Sequence, residues 1–86
     1  MLYMMKPQTK IVVLSQMTIG QTGVIHSFPV DSEDCERIEE MGVTPGEPFE
    51  VIRYAPLGDP IEIRIRGYLL SLRKEEADRI QVSVRS

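Results

Sequence analysis

From Ile61 to Arg66 hydrophobic and polar residues alternate without a break, three isoleucines against Glu62, Arg64 and Arg66. Successive side chains of a strand point to opposite faces, so this pattern predicts a strand with Ile61, Ile63 and Ile65 in a core and the charges in water. Ile80 to Val84 alternates in the same way, Val24 to Phe28 is a short β-branched and aromatic run that predicts a strand, Phe49 to Tyr54 is a strand candidate after a turn, and Leu69 to Leu72 returns from the hairpin. Gly67 stands where a hairpin needs an unhindered residue, Gly20 and Gly23 permit a tight turn before the first strand, and Lys74 to Asp78 reads as a short polar turn. Between Val30 and Gly42 the period changes. Cys35, Ile38 and Met41 fall three apart, the narrow apolar stripe of a helix. Asp31 or Ser32 can accept from a free first-turn amide, Glu33 and Asp34 suit the positive end of the helix dipole, and Gly42 can end the helix in the left-handed conformation. Thr44-Pro45-Gly46-Glu47 then predicts a type II turn.

Five short strands, with one helix inserted between the first and second, predict a mainly β fold: a small antiparallel barrel curled to protect its edges. Residues 1 to 10 lack periodicity and contain Pro7, and are expected to form a loosely ordered arm ahead of a domain spanning 11 to 86. Eighty-six residues suffice for one small domain, so a multidomain enzyme is not expected. The longest aliphatic run, Ile11 to Leu14, is far short of the roughly 18 to 20 residues a spanning helix needs. Met1 to Met5 are cut off by Lys6 and Pro7, too short for a secretory core, so the expectation is a cytoplasmic chain without membrane insertion. A net charge of -3 argues against nucleic acid as partner, since gripping phosphates needs excess positive charge.

Catalytic signatures are missing: no Gly-x-x-x-x-Gly-Lys phosphate loop, no Gly-x-Ser-x-Gly elbow and no His-Glu-x-x-His. An enzyme is not expected. The residues with any claim on a metal are His26, Cys35, Glu36, Glu39 and Glu40. Glu36 and Glu40 lie one helical turn apart, but exposed carboxylates without a closed cavity offer no selectivity. His26 falls inside a strand and Cys35 on the helix's apolar stripe, positions that favour packing. No resident cofactor is expected, and at most weak divalent-metal binding. Residues 1 to 50 hold eight acids and three bases (net -5), and residues 51 to 86 five acids and seven bases (net +2), an asymmetry that suits steered docking on another protein. The candidate contacts are Met41 and Val43 in the turn after the helix, Leu57 and Asp59 in the loop Ala55 to Pro60, and Arg64 and Arg66 on the alternating strand. Prolines and glycines fix the shape of these loops at low entropic cost, and Leu57 or Val43, if exposed, would form a rigid apolar knob.

Four motifs add a resemblance. Gly20-x-x-Gly23-x-Ile25, Met41-Gly42-Val43-x-Pro45-Gly46, Pro56-Leu57-Gly58-Asp59-Pro60-Ile61 and Leu70-Ser71-Leu72-Arg73-x-x-Glu76-Ala77 occur in the order and spacing of the FeoA family, and the chain from about Leu14 to Val84 resembles it. The resemblance implies an SH3-like barrel and a non-catalytic accessory of bacterial ferrous-iron uptake, acting on a membrane transporter that carries a cytosolic GTP-binding domain. The alternative it leaves open is a metal-responsive regulatory domain that itself binds a divalent transition metal. Self-association through a strand edge, giving a homo-oligomer, is also open.

Overall fold

The computed structural model describes residues 9–28 and 33–85, with side chains of 33–35 excepted. The order is β1 (Thr9–Val13), a 3₁₀ turn (Leu14–Gln16), β2 (Thr22–Ser27), α1 (Glu33–Glu40), β3 (Pro48–Tyr54), β4 (Ile61–Ile65), β5 (Tyr68–Leu72), α2 (Lys74–Ala77) and β6 (Gln81–Arg85). All five anticipated strands are present within a residue or two of their expected ends, and the helix enters between β2 and β3. The polar stretch after β5, expected as a turn, closes into the single helical turn of α2.

The architecture corrects the barrel expectation in two respects. Among the described residues there are six strands, because Thr9 to Val13 pairs residue for residue with β6, from Thr9 opposite Arg85 to Val13 opposite Gln81. The sheet is also open. Its strands run β1-β6-β2-β3-β4-β5, neighbours antiparallel, so β1 and β5 stand at opposite edges and share no ladder. A barrel needs its first and last strands to pair, and here they do not. The expected arm, where it covers Met1 to Gln8, lies outside the described residues, as do the proposed helix caps Asp31 and Ser32.

One face of the sheet supplies the core. Ile61, Ile63 and Ile65 are buried, as the alternation requires, together with Ile25, Val51, Leu72, Ile80 and Val82. Ile38 brings α1 onto this core. The helix ends as its glycine predicts: Gly42 has φ +98°, the Val43 N–H reaches back to the Ile38 carbonyl at 3.2 Å and the Gly42 N–H to Glu39 at 3.0 Å. This double closure satisfies the last carbonyls and folds Val43 onto Ile38, a contact that buries both. The turn that follows is closed by Glu47 N–H to the Thr44 carbonyl at 3.1 Å, with Gly46 at φ +93°. Gly23 differs from its sequence reading. It lies within β2 opposite Phe49, and its importance is the missing side chain.

Candidate docking surface

The loop between β3 and β4 carries the most exposed large apolar side chain among the described residues, Leu57, at 96% accessibility. Its backbone is tightly held. The Gly58 N–H donates to the Ala55 carbonyl at 2.7 Å and the Ala55 N–H to the Pro60 carbonyl at 2.9 Å. Asp59 anchors the far side by accepting the Lys74 N–H through Oδ1 at 2.9 Å, which ties the loop to the start of α2. A leucine on such a loop exposes apolar surface with little left to lose in ordering, the property of an anchor for a partner's pocket.

The other candidates fall elsewhere. Val43 is wholly buried against Ile38, so its side chain offers no surface, and Met41 is half-buried against the core. The turn that holds them abuts the opposite end of β4: a Cβ on Gly42 would lie 2.8 Å from Arg66 Cδ and 2.7 Å from the Tyr68 hydroxyl. The Leu57 loop runs into Ile61, while Arg66 follows Ile65, so the length of β4, about 13 Å, separates the two places. They are not one surface. Arg64 and Arg66 are exposed and engaged within the sheet, Arg64 with Glu50 and Arg66 with Glu47, each at 3.2 Å. With Arg53 and Glu62 at 2.8 Å these are three exposed ion pairs, two of them between β3 and β4 and the third, Arg66 with Glu47, between the residues that flank those strands.

The metal candidates do not converge. Among the described residues no group of three or more His, Cys, Asp and Glu side chains is placed to hold an ion. His26 is the extra residue of a β-bulge, between Ile25 opposite Val82 and Ser27 opposite Gln81, and its side chain is exposed. Glu36, Glu39 and Glu40 face solvent on α1, and the Cys35 side chain lies outside the described residues.

Three features escaped sequence reasoning. Glu76 is buried, 3% exposed, where it receives the Arg37 guanidinium from α1 and accepts the Arg73 N–H at 3.0 Å. A Glu three residues beyond a helix entry is a capping signal that could have been read from the sequence. Tyr54 donates its hydroxyl to the Met17 carbonyl, fastening the 3₁₀ turn to β3, and its burial raises the phenol pKa above the ordinary value. The third is the place of β5, Tyr-Leu-Leu-Ser-Leu, at the edge of the sheet, without a charge and with Tyr68 and Leu69 43% and 52% exposed.

An open six-stranded sheet with one helix inserted between β2 and β3 and an exposed apolar side chain on the β3–β4 loop defines a small, mainly β domain. The chain belongs to the FeoA family: the FeoA domain matches residues 12–84. It is 38% identical over 71 residues to the Fe(2+) transport protein A/Fe(2+) transporter FeoB fusion protein of Porphyromonas gingivalis, a match covering 83% of this chain and 8% of that protein. The chain thus spans about a twelfth of that relative's length. Among solved structures, the FeoA-like protein from Clostridium acetobutylicum superposes with a TM-score of 0.82 at 38% identity, covering 90% of each chain. The FeoA protein from Chlorobium tepidum does so with a TM-score of 0.80 at 33% identity, covering 87% of this chain and 71% of the other.

Proposed function

We propose that this chain is a non-catalytic accessory of ferrous-iron uptake that works in the cytoplasm by docking on the soluble, GTP-binding part of the membrane iron transporter. The observation that carries this reading is the Porphyromonas gingivalis fusion, in which a segment like this one is joined to an Fe(2+) transporter in a single polypeptide. A covalent link raises the effective concentration of one partner near the other, which is useful only where the two engage. Leu57 is the apolar anchor of the contact and Asp59 holds its loop in place. Arg64 and Arg66 supply charge that steers approach. The domain acts by favouring whichever transporter state presents its docking surface, to the extent that it binds that state more tightly.

Leu57→Glu is the test. The side chain touches almost nothing in the folded domain, so stability should stay within about 0.5 kcal/mol of the parent while affinity for the full-length transporter in detergent falls about tenfold or more. Titration calorimetry with and without a GTP analogue reads the affinity, and unchanged binding by the folded variant removes this loop from the contact.

A further inference from the structure

We infer that the free edge of β5 is a strand-addition site for an extended segment of a partner protein in which acidic and apolar residues alternate. Among the described residues β5 pairs only with β4. The hairpin that joins them has a two-residue loop, Arg66 and Gly67, both at positive φ (53° and 87°). Such a loop makes its flanking residues, Ile65 and Tyr68, a hydrogen-bonded pair, and hydrogen-bonded and non-hydrogen-bonded pairs then alternate along the ladder. Tyr68, Leu70 and Leu72 therefore turn their N–H and C=O groups to β4. Leu69 and Ser71 turn theirs outward, where an added strand would meet them.

Edge strands are ordinarily blunted by a charge, a proline or a bulge. β5 has no charged residue and no proline, and its five pairings with β4 run in register from Ile61 opposite Leu72 to Ile65 opposite Tyr68. Its exposed Leu69 and Tyr68 add apolar surface beside the free backbone groups.

Charge selects the occupant. From Ile61 to Lys74 the chain carries Arg64, Arg66, Arg73 and Lys74, of which Arg64 is paired with Glu50, Arg66 with Glu47 and Lys74 with Asp78, so the charge left to a partner at this edge is that of Arg73. Arg73 and Arg37 line the groove beside Ser71, together with Pro60 and the carboxylates of Glu75 and Glu76. Arg37 is committed to Glu76, whereas among the described residues Arg73 has no acidic side chain paired with it. A strand laid on β5 would bring its own side chains past these cations, so carboxylates on it are favoured and cations disfavoured. A second copy of this chain fits poorly. Its β5 has no acidic residue, and its other edge, β1, has none either and carries Lys10 in the strand with Arg85 opposite Thr9.

The docking role proposed above supplies the partner's identity, and the edge site supplies the manner of holding it. Pro60, in the loop that carries Leu57, lines the same groove as Ser71, so knob and edge meet at one corner of the sheet. The test uses the full chain and two blocked heptapeptides, one alternating valine with glutamate and one alternating valine with lysine. Amide exchange followed by NMR should slow about tenfold at Leu69 and Ser71 with the glutamate peptide, with much smaller changes at Leu70 and Leu72, already bonded to β4. Ser71→Pro removes an outward donor without touching the β4 ladder, and Arg73→Glu reverses an exposed charge. Each should weaken the glutamate peptide about tenfold. Equal binding of the lysine peptide, protection at β1 instead of β5, or protection that grows with protein concentration alone would each overturn the proposal. The same exchange experiment with the full-length transporter separates the two readings. Transporter binding that leaves Leu69 and Ser71 unprotected refutes the edge and spares the accessory role, whereas peptide binding without transporter binding does the reverse.

Discussion

A methyl group added to Gly23 would lie 3.0 Å from the Ser83 carbonyl oxygen and 3.2 Å from both Phe49 and Val84. The nearest of these is backbone of a paired strand and cannot swing aside. Gly23→Ala should therefore cost about 1–3 kcal/mol, read as a lowered midpoint in urea at unchanged slope. Tyr54 gives a pH-dependent counterpart. Burial disfavours its phenolate, so its folded pKa is raised above the unfolded value. Its contribution is present in full below the unfolded pKa, near 10, and is lost as pH rises through the folded one. Unfolding free energy followed by urea titration should fall across that alkaline window in the parent and fall less in Tyr54→Phe, and parallel profiles would separate the loss from this hydroxyl. Arg66 shows the limit of reading single residues from sequence. Its place in the period-two run assigned it to water, correctly, but to a strand, whereas it occupies the left-handed first position of the hairpin turn at φ 53°. The pattern carries which side a residue faces and not where its strand stops.

Eight residues of helix are too few to persist alone in water, so α1 stays helical because of what it touches. Its attachments are the buried Ile38, the Val43 closure and the Arg37 ion pair with Glu76 of α2. Ile38→Ala should cost about 2–4 kcal/mol, and since the sheet keeps its own ladders, amide exchange should rise first in α1 while β3 and β4 stay protected. Uniform loss of protection would mean that helix and sheet unfold as one unit. At this scale the strands with an isoleucine or valine at every second place were legible, as was the helix from its stripe and terminal glycine. β1 was not, because Ile11 to Leu14 is a continuous apolar run without alternation, and its strand character comes from β6 lying alongside. The candidate site divided the same way. The exposure of Leu57 was legible because proline and glycine mark a surface turn, whereas Val43 is buried because a valine after a helix-ending glycine folds inward, a consequence of the hydrogen bonds that close the helix.

Across the whole molecule, the forces that hold the fold and those suited to recognition are of different kinds. Among the described residues the core is apolar apart from Glu76, and the ion pairs of Arg53, Arg64 and Arg66 sit on the solvent face, where each contributes about 0–1 kcal/mol. Salt should leave the first nearly untouched and weaken the second. Raising sodium chloride from about 50 to 500 mM shortens the screening length from roughly 14 to 4 Å, so the exposed pairs lose most of their small contribution while burial does not. The melting temperature should then move by no more than about 3 °C. Association at the proposed edge would be different, because Arg73 would meet a partner's carboxylates across solvent. Over the same range the association rate constant with the transporter should fall about tenfold, with a smaller change in dissociation, as stopped-flow fluorescence would resolve. A salt-independent association rate beside a steep fall in melting temperature would reverse the assignment, placing the charges in the service of the fold and leaving Leu57 and the β5 edge to find their partner unaided.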